Sequence, residues 1–316
     1  MESSEDIIQK SKNPIQLNPM KISIPLTVFT PTFNRGYCLQ RAYDSLCRQT
    51  SKNFEWLIVD DGSVDNTADL VQKWQNENKI SIRYIKQENQ GMHGAHNTAF
   101  RNINTELCLC LDSDDMLTDD CVEFVLTFWA KHSDQHYQVA GFIALDAYIS
   151  GGVIGTRFPE NIKMAHENWL RETQGVRGDK KIVFRTRVAQ EAPEYPVFPD
   201  EKYGSMAYKN QFIDAKYPWF IVNRVIYLVE YMEDGSTRNM FSQYRRALKG
   251  WDIARRSSML HSYTYRRKFI ECIHYVSNSI FLNKWDFIQK SPKPILTFFS
   301  IPLGILLNIL IRFKTR

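Results

Sequence analysis

Four short apolar runs limit what this chain can fold into: IPLTVF (Ile24–Phe29), FEWLIV (Phe54–Val59), ISIRYI (Ile80–Ile85) and LCLCL (Leu107–Leu111). They recur about 26 to 30 residues apart, most are rich in β-branched or aromatic side chains, and each is followed by polar turn residues. The intervals YCLQRAYDSLCRQ, NTADLVQKWQNEN and MHGAHNTAFRNI have helical patterning, the second opened by Asp65, Asn66 or Thr67 as N-cap. Strand and helix alternating in this way imply right-handed βαβ units and a parallel sheet buried on both faces. Ligands of such a sheet bind beyond the carboxyl ends of its strands. The chain places TPTFNR, DDGS, QENQG and DSDD there, so its polar residues converge on one edge.

The fourth run poses a question. LCLCLDSDDML ends a buried segment with Asp112, Ser113, Asp114 and Asp115, three like charges that cost stability unless something compensates them. Asp112 and Asp114 are two apart, so in strand geometry they face the same way, about 7 Å from each other, and can share a ligand. Oxygen ligands with an open edge suit Mg²⁺ or Mn²⁺, which keep water and accept phosphate oxygens. The alternative is an acidic loop leading into a helix capped by Thr118, Asp119 or Asp120.

Composition bounds the rest. At 316 residues, 43% hydrophobic and 13% aromatic, the chain can bury a core and is not a disordered protein. Its net charge of +5 is uneven: from Ser236 to Arg316 there are 15 Lys and Arg against Asp252, Glu271 and Asp286, so this end suits an anionic partner. Six cysteines form no CxxC pair, and Cys108 and Cys110 share one face of a strand, as buried reduced thiols do. The start, MESSEDIIQKSKN, lacks the basic end and apolar core of a secretory signal, and the predicted location is cytoplasmic.

Beyond Lys131 the pattern loosens. VAGFIAL and KKIVFR read as strands, a helix is predicted around Trp169 and another over YGSMAYKNQFID, and WFIVN and RVIYLVEYM read as a strand pair. MFSQYRRALKGWDIARR and YRRKFIECIHYVSNSIFLNKWDF are helical and basic. PILTFFSIPLGILLNILI (Pro294–Ile311) is an apolar stretch of 18 residues flanked by Lys290, Lys293, Arg312, Lys314 and Arg316, with Pro302 and Gly304 predicted to break it. Positive charge on both flanks suits neither orientation of a single span. A re-entrant or interfacial element at a cytoplasmic membrane face fits, and the alternative is a helix packed on the core or on a second subunit.

VFTPTFNR (Val28–Arg35), WLIVDDGSVDNT (Trp56–Thr67), QENQGMHGAHNTAF (Gln87–Phe100) and CLDSDDML (Cys110–Leu117) together resemble the nucleotide-binding half of family 2 glycosyltransferases. These are inverting enzymes of the GT-A fold, and the resemblance holds in order, type and spacing over Ile22–Trp129. It implies a Rossmann-like, mostly parallel sheet flanked by helices, here followed by a basic helical C-terminal region. The plan is a polar tail (1–20), a nucleotide-sugar half (21–132), an acceptor half (133–235), a basic helical region (236–290) and a membrane-associating tail (291–316).

The resemblance also implies roles. Thr30, Pro31, Thr32 and Arg35 with Asp60 and Asp61 border the base and ribose of a nucleotide sugar, commonly a UDP-sugar, and a carboxylate can accept the uracil imide N–H. The DxD-type motif Asp112-Ser113-Asp114 sets Asp112 near ribose and metal and Asp114 on a Mn²⁺ or Mg²⁺ bridging the diphosphate, where the ion acts as a Lewis acid on the departing UDP. Gly91, His93 and Asn97 fall near the nucleotide and donor sugar, with His93 a donor to phosphate or a packing histidine, while His96 stands where many relatives carry Arg. Inversion needs a base in the acceptor half. Glu201 is the first candidate, Asp200 beside it, and Asp179 the second, which also matches a recurrent Gly-Asp near the donor pocket. YMEDGSTRNM (Tyr231–Met240) resembles a loop bordering the active site, and Trp219 either stacks on sugar or belongs to the core.

The function implied is hexosyl transfer from a nucleotide sugar to a glycan acceptor, lipid-linked, in surface-polysaccharide assembly at the inner membrane face. Nucleotidyl transfer and a catalytically inactive scaffold are the alternatives. A nucleic-acid partner is not expected, because nucleic acid leaves the apolar tail unexplained.

Overall fold

The computed structural model describes residues 25–202, 204–230 and 244–315. The polar start and the Tyr231–Met240 segment lie outside the described residues. The first half follows the alternating pattern: β1 (Leu26–Thr32), α1 (Gln40–Cys47), β2 (Glu55–Asp60), α2 (Thr67–Glu77), β3 (Ser81–Lys86), α3 (Gly91–Asn102) and β4 (Leu107–Cys110). β3, β2, β1 and β4 pair in that order, all parallel, with Thr32 opposite Asp60 and Phe29 opposite Cys110. Their side chains feed two apolar layers, one around Trp56, Trp74 and Tyr43, the other around Phe29, Leu57 and Phe100.

The next elements are β5 (Met116–Leu117), α4 (Cys121–Lys131), β6 (Gly141–Tyr148), β7 (Met164–Ala165), α5 (Glu167–Thr173), β8 (Lys180–Arg185), α6 (Thr186–Glu191), α7 (Ala207–Asp214) and β9 (Trp219–Val229). The sheet continues β4-β8-β6-β9-β5, with β7 also on β9. β8, β5 and β7 run antiparallel to their neighbours while the other six strands share one direction, so the nine-stranded sheet is mostly parallel with antiparallel insertions. The alternation that implies crossover helices stops at β4, and antiparallel neighbours need none.

The predicted strand pair at Asn223-Arg224 is instead one 11-residue strand, β9. Its register against β6 shifts between Ile221 and Val225, so Asn223 and Arg224 form an irregularity within a continuous strand. The Asn223 side chain holds this place by bonding both the N–H and the C=O of Phe158. Trp219 is fully buried and donates to Asp214, and it belongs to the core.

The C-terminal region comprises α8 (Leu248–His261), α9 (Tyr265–Phe281), the short α10 (Phe287–Lys290) and α11 (Pro294–Lys314). α8 packs on α9 and α9 on α11, around Met259, Cys272, Tyr275 and Val276. The predicted break at Pro302 and Gly304 does not occur. Pro302 lies on the outward face of the helix, where its missing backbone bond disturbs no packing, and Gly304 sits against Val276. All six cysteines are free and none is exposed.

Candidate active site

A cavity of about 1200 Å³ lies at the carboxyl ends of the parallel strands and extends toward the C-terminal helices. It is large enough for a nucleotide sugar. Pro31 and Thr32 at the end of β1 and Arg35 in the loop after it line the cavity, and the Thr32 hydroxyl has no hydrogen-bond partner among the described residues. Thr30 does not: it points into the core and accepts from Trp56 Nε1 at 2.9 Å.

The two carboxylates after β2 have different tasks. Asp60 is buried and closes the turn, accepting from Ser63 N at 2.7 Å and from the Tyr84 hydroxyl. Asp61 reaches the cavity while accepting from Gln87 Nε2, Gln90 N and Gly91 N at 2.7 to 2.9 Å. Burial raises its pKa, and these donors pull it part of the way back. Gly91 is required there: φ is +82°, and a Cβ would lie 2.3 Å from the carbonyl oxygen of Lys202.

His93 and Asn97 do not line the cavity. The His93 ring packs on Tyr195 and over Gly204, and burial lowers its pKa to about 4, leaving it neutral. Asn97 brackets Tyr195 by bonding its N–H and C=O at 2.9 and 2.8 Å. The histidine that lines the cavity is His96, one helical turn on, edge-on to Phe29.

The compensation for the acidic loop comes from distant strands. β5 pairs with β9, which carries the Asp112–Asp115 loop across to Tyr227. The Tyr227 hydroxyl accepts from Asp112 N at 2.9 Å and donates to Asp112 Oδ2 at 3.1 Å. Lys181, buried on β8, donates to the Cys110 carbonyl at 3.0 Å and lies 3.3 Å from the centre of the Tyr227 ring. Burial, the largest single influence, raises the Asp112 carboxyl, but Lys181, His96 and the Tyr227 and Cys110 hydrogen bonds together outweigh it and the pKa is lowered. Burial would likewise lower Lys181, and Asp112, Asp146, Cys110 and Asp115 together more than reverse this. Asp115 is pushed up to about 7 by burial and by Asp112 and Asp114, which Lys181 and Tyr227 offset only in part.

Asp114 is the more open carboxylate, lining the cavity with Arg35 at 4.0 Å. Among the described residues no three His, Cys, Asp or Glu side chains converge as a complete metal site. That fits a hard cation that takes one or two carboxylates and draws its other ligands from phosphate and water.

Neither Asp200 nor Glu201 lines the cavity. The buried Glu201 carboxylate accepts from Lys249 N and Gly250 N at 2.8 and 2.9 Å, so it caps α8, whose first N–H groups need acceptors. Asp200 pairs with Lys249 Nζ. Asp179 does line the cavity, and so does Asp146 on β6, which sequence reasoning passed over. Asp146 is 3% exposed, its Oδ1 has no hydrogen-bond partner, and burial raises its pKa to about 6. The available signal was a lone charge inside an apolar strand, Asp146 in GFIALDAY, with Lys181 beginning KIVF as its counterpart.

Residues 27–179 match the family described as Glycosyl transferase family 2. These residues form a family 2 glycosyltransferase domain. A glycosyltransferase of Streptococcus pneumoniae, GlyA, is 36% identical over 33% of this chain and 15% of its own length. Chondroitin synthase of Escherichia coli is 33% identical over 39% of this chain and 18% of its own length, so the relatives of this transferase include polysaccharide synthases. The chain spans less than a fifth of either relative. Residues 1–349 of S. aureus TarS, solved in complex with UDP-GlcNAc, superpose with a TM-score of 0.62 over 93% of this chain and 92% of that one at 17% identity. The transferase therefore has the GT-A fold, and the strands after β4 share its architecture where sequence similarity has faded.

Proposed function

We propose that this transferase moves a sugar from a nucleotide donor, a UDP-sugar, onto a glycan acceptor with inversion. The acceptor is a lipid-linked glycan in cell-surface polysaccharide synthesis, which sets the reaction at the cytoplasmic face of a membrane. The observation that carries the reading is the single cavity that joins Pro31, Thr32 and Asp61 to the acidic loop and to further carboxylates on its wall. TarS, whose structure was solved with UDP-GlcNAc, supports a uridine donor.

Pro31 and Thr32 border the base, and Asp61 offers it a carboxylate oxygen. Asp114, with Asp112 behind it, would hold Mn²⁺ or Mg²⁺, which supplies a Lewis acid at the diphosphate as UDP departs. Lys181 and Tyr227 keep Asp112 ionised and aimed. The base that takes the acceptor hydroxyl proton is one of the cavity carboxylates. Asp146 suits that task because a carboxyl near 6 is ionised at neutral pH yet still basic enough to accept a proton.

The test is nucleotide diphosphate release from a panel of nucleotide sugars with Mn²⁺, Mg²⁺ or chelator, alongside thermal-shift binding. Metal-dependent release from one donor supports the proposal. Binding without release from any donor, even with glycan acceptors added, would indicate an inactive scaffold, and neither binding nor release would remove the nucleotide-sugar reading.

A further inference from the structure

α11 has its polarity inside out. Its buried residues Thr297, Ser300, Gly304, Asn308 and Ile311 are spaced by three and four and form one stripe against the protein, small or polar except for the last. The polar members are satisfied there: Thr297 pairs with Ser291, Ser300 donates to the Thr297 carbonyl, and Asn308 donates to the Ser277 carbonyl at 3.0 Å. At Gly304 the helices touch so closely that a Cβ would lie 2.5 Å from the Val276 side chain. The opposite face shows Ile295, Phe298, Phe299, Leu306, Ile309 and Phe313 to the outside, each 58 to 77% exposed. A continuous apolar face of this kind marks a partner or a membrane.

The geometry points to the interfacial layer of an anionic bilayer as the occupant of this face, with α11 lying in the membrane plane. Lys293 precedes the helix, Arg312 and Lys314 close it, and Arg245 bonds Thr315 beyond its end. Trp285, 72% exposed, stands on the turn that leads into α10. Cations at both ends of an apolar stripe complement anionic headgroups when the helix lies flat. A second copy docked about a two-fold axis would instead set one group of cations against the other.

A spanning arrangement conflicts with α9. Gly304 meets Val276, Asn308 meets Ser277 and Arg312 meets Phe281, so α9 runs beside α11 in the same direction. α9 carries the buried Glu271, which pairs with Arg255 on the adjoining α8, a charged pair that a spanning α11 would draw into hydrocarbon. The first turn of α9 also lines the cavity through Arg266 and Arg267. One helix therefore links the apolar face to the active site, within reach of an acceptor held at the bilayer surface.

This inference rests on the lipid-linked acceptor in the reading above and not on the donor chemistry. Its test is co-sedimentation of the full chain with phosphatidylcholine vesicles and with mixed phosphatidylcholine–phosphatidylglycerol vesicles. The wild type should bind the mixed vesicles more tightly, less so as salt rises. The variant Phe298→Ser/Leu306→Ser/Phe313→Ser, which alters only outward side chains, should lose about 10-fold or more in binding while keeping its helical circular dichroism. No binding of the wild type to either vesicle, or equal binding by the variant, would overturn the proposal. So would lipid-free dimerisation that the variant abolishes without any vesicle binding, which would assign the face to a second copy. UDP binding measured on the same samples keeps the two readings apart, since its loss would sink the donor assignment and leave vesicle binding untouched.

Discussion

The two ends of the sheet build the cavity by different means. At the β3-β2-β1-β4 end the cavity residues sit in loops that follow parallel strands, and their charge is met by nearby backbone, as when Gln90 N and Gly91 N bond Asp61. At the β8-β6-β9 end Asp146, Lys181 and Tyr227 project from within strands, and charge is met by side chains remote in sequence: Lys181 by Asp146 and by Asp112, which Tyr227 also bonds. A loop motif can form a nucleotide edge almost alone. The reacting floor depends on the register of three strands that no local pattern specifies.

The largest effect should come from the carboxylate that belongs to the first end by sequence and to the second by position. Asp114→Ala removes the proposed cation ligand, and if the ion supplies several kcal/mol to the departing diphosphate, release of UDP should fall by about 10³-fold. UDP release in Mn²⁺ measures this, and a change of only a few fold would separate the acidic loop from catalysis.

Lys181→Met sharpens the contrast on the stability side. Removing a buried ammonium leaves Asp112 and Asp146 uncompensated, and losing one member of a buried charge set costs about 3–5 kcal/mol. Urea denaturation at neutral pH should show that loss. A loss within experimental error would mean that the loop is compensated by something other than β8.

Asp146→Asn comes next, with opposite signs in two assays. Turnover should drop by about 10²-fold, the usual share of a general base. The wild-type rate should rise with pH through about 6, and the variant should lack that limb. Stability should move the other way. Because burial raises this carboxyl above its unfolded value near 4, the fold favours the protonated form, and stability falls as pH rises through 6. The variant should therefore be at least as stable as wild type at pH 7. If it were instead less stable with turnover intact, Asp146 would be only a partner of Lys181.

What the sequence showed follows the same division. β1 to β4 and their helices were legible because each run and its turn lie within a few residues of each other, and the family motifs fall on the same loops. KKIVFR was legible as a strand, β8, but not as the source of the cation that stabilises the Asp112 loop. Nothing in the order of residues says that Lys181 and Tyr227 meet. Pro302 misled because a proline removes a single backbone bond from a long helix, and here it falls on the outward face, away from the contact with α9 that holds the helix in place. Trp219 and Asn97 illustrate a third limit, since residue type alone does not distinguish a core bracket from a ligand contact.

The smallest effect is expected at the acidic pair that sequence reasoning favoured as the base. Glu201 lies in the acceptor half yet contributes to the C-terminal helices, where both its oxygens accept from the first turn of α8. Glu201→Gln keeps one acceptor, turns the other into a donor facing an N–H, and removes a negative charge from a helix N-terminus. A cost of about 1–2 kcal/mol follows from the lost cap and dipole interaction. Turnover per folded molecule should stay within about twofold of wild type, because the carboxylate does not reach the cavity. A kcat loss as large as that of Asp146→Asn, in a variant as stable as wild type, would return the base to Glu201. It would also require α8 to release its cap during the reaction.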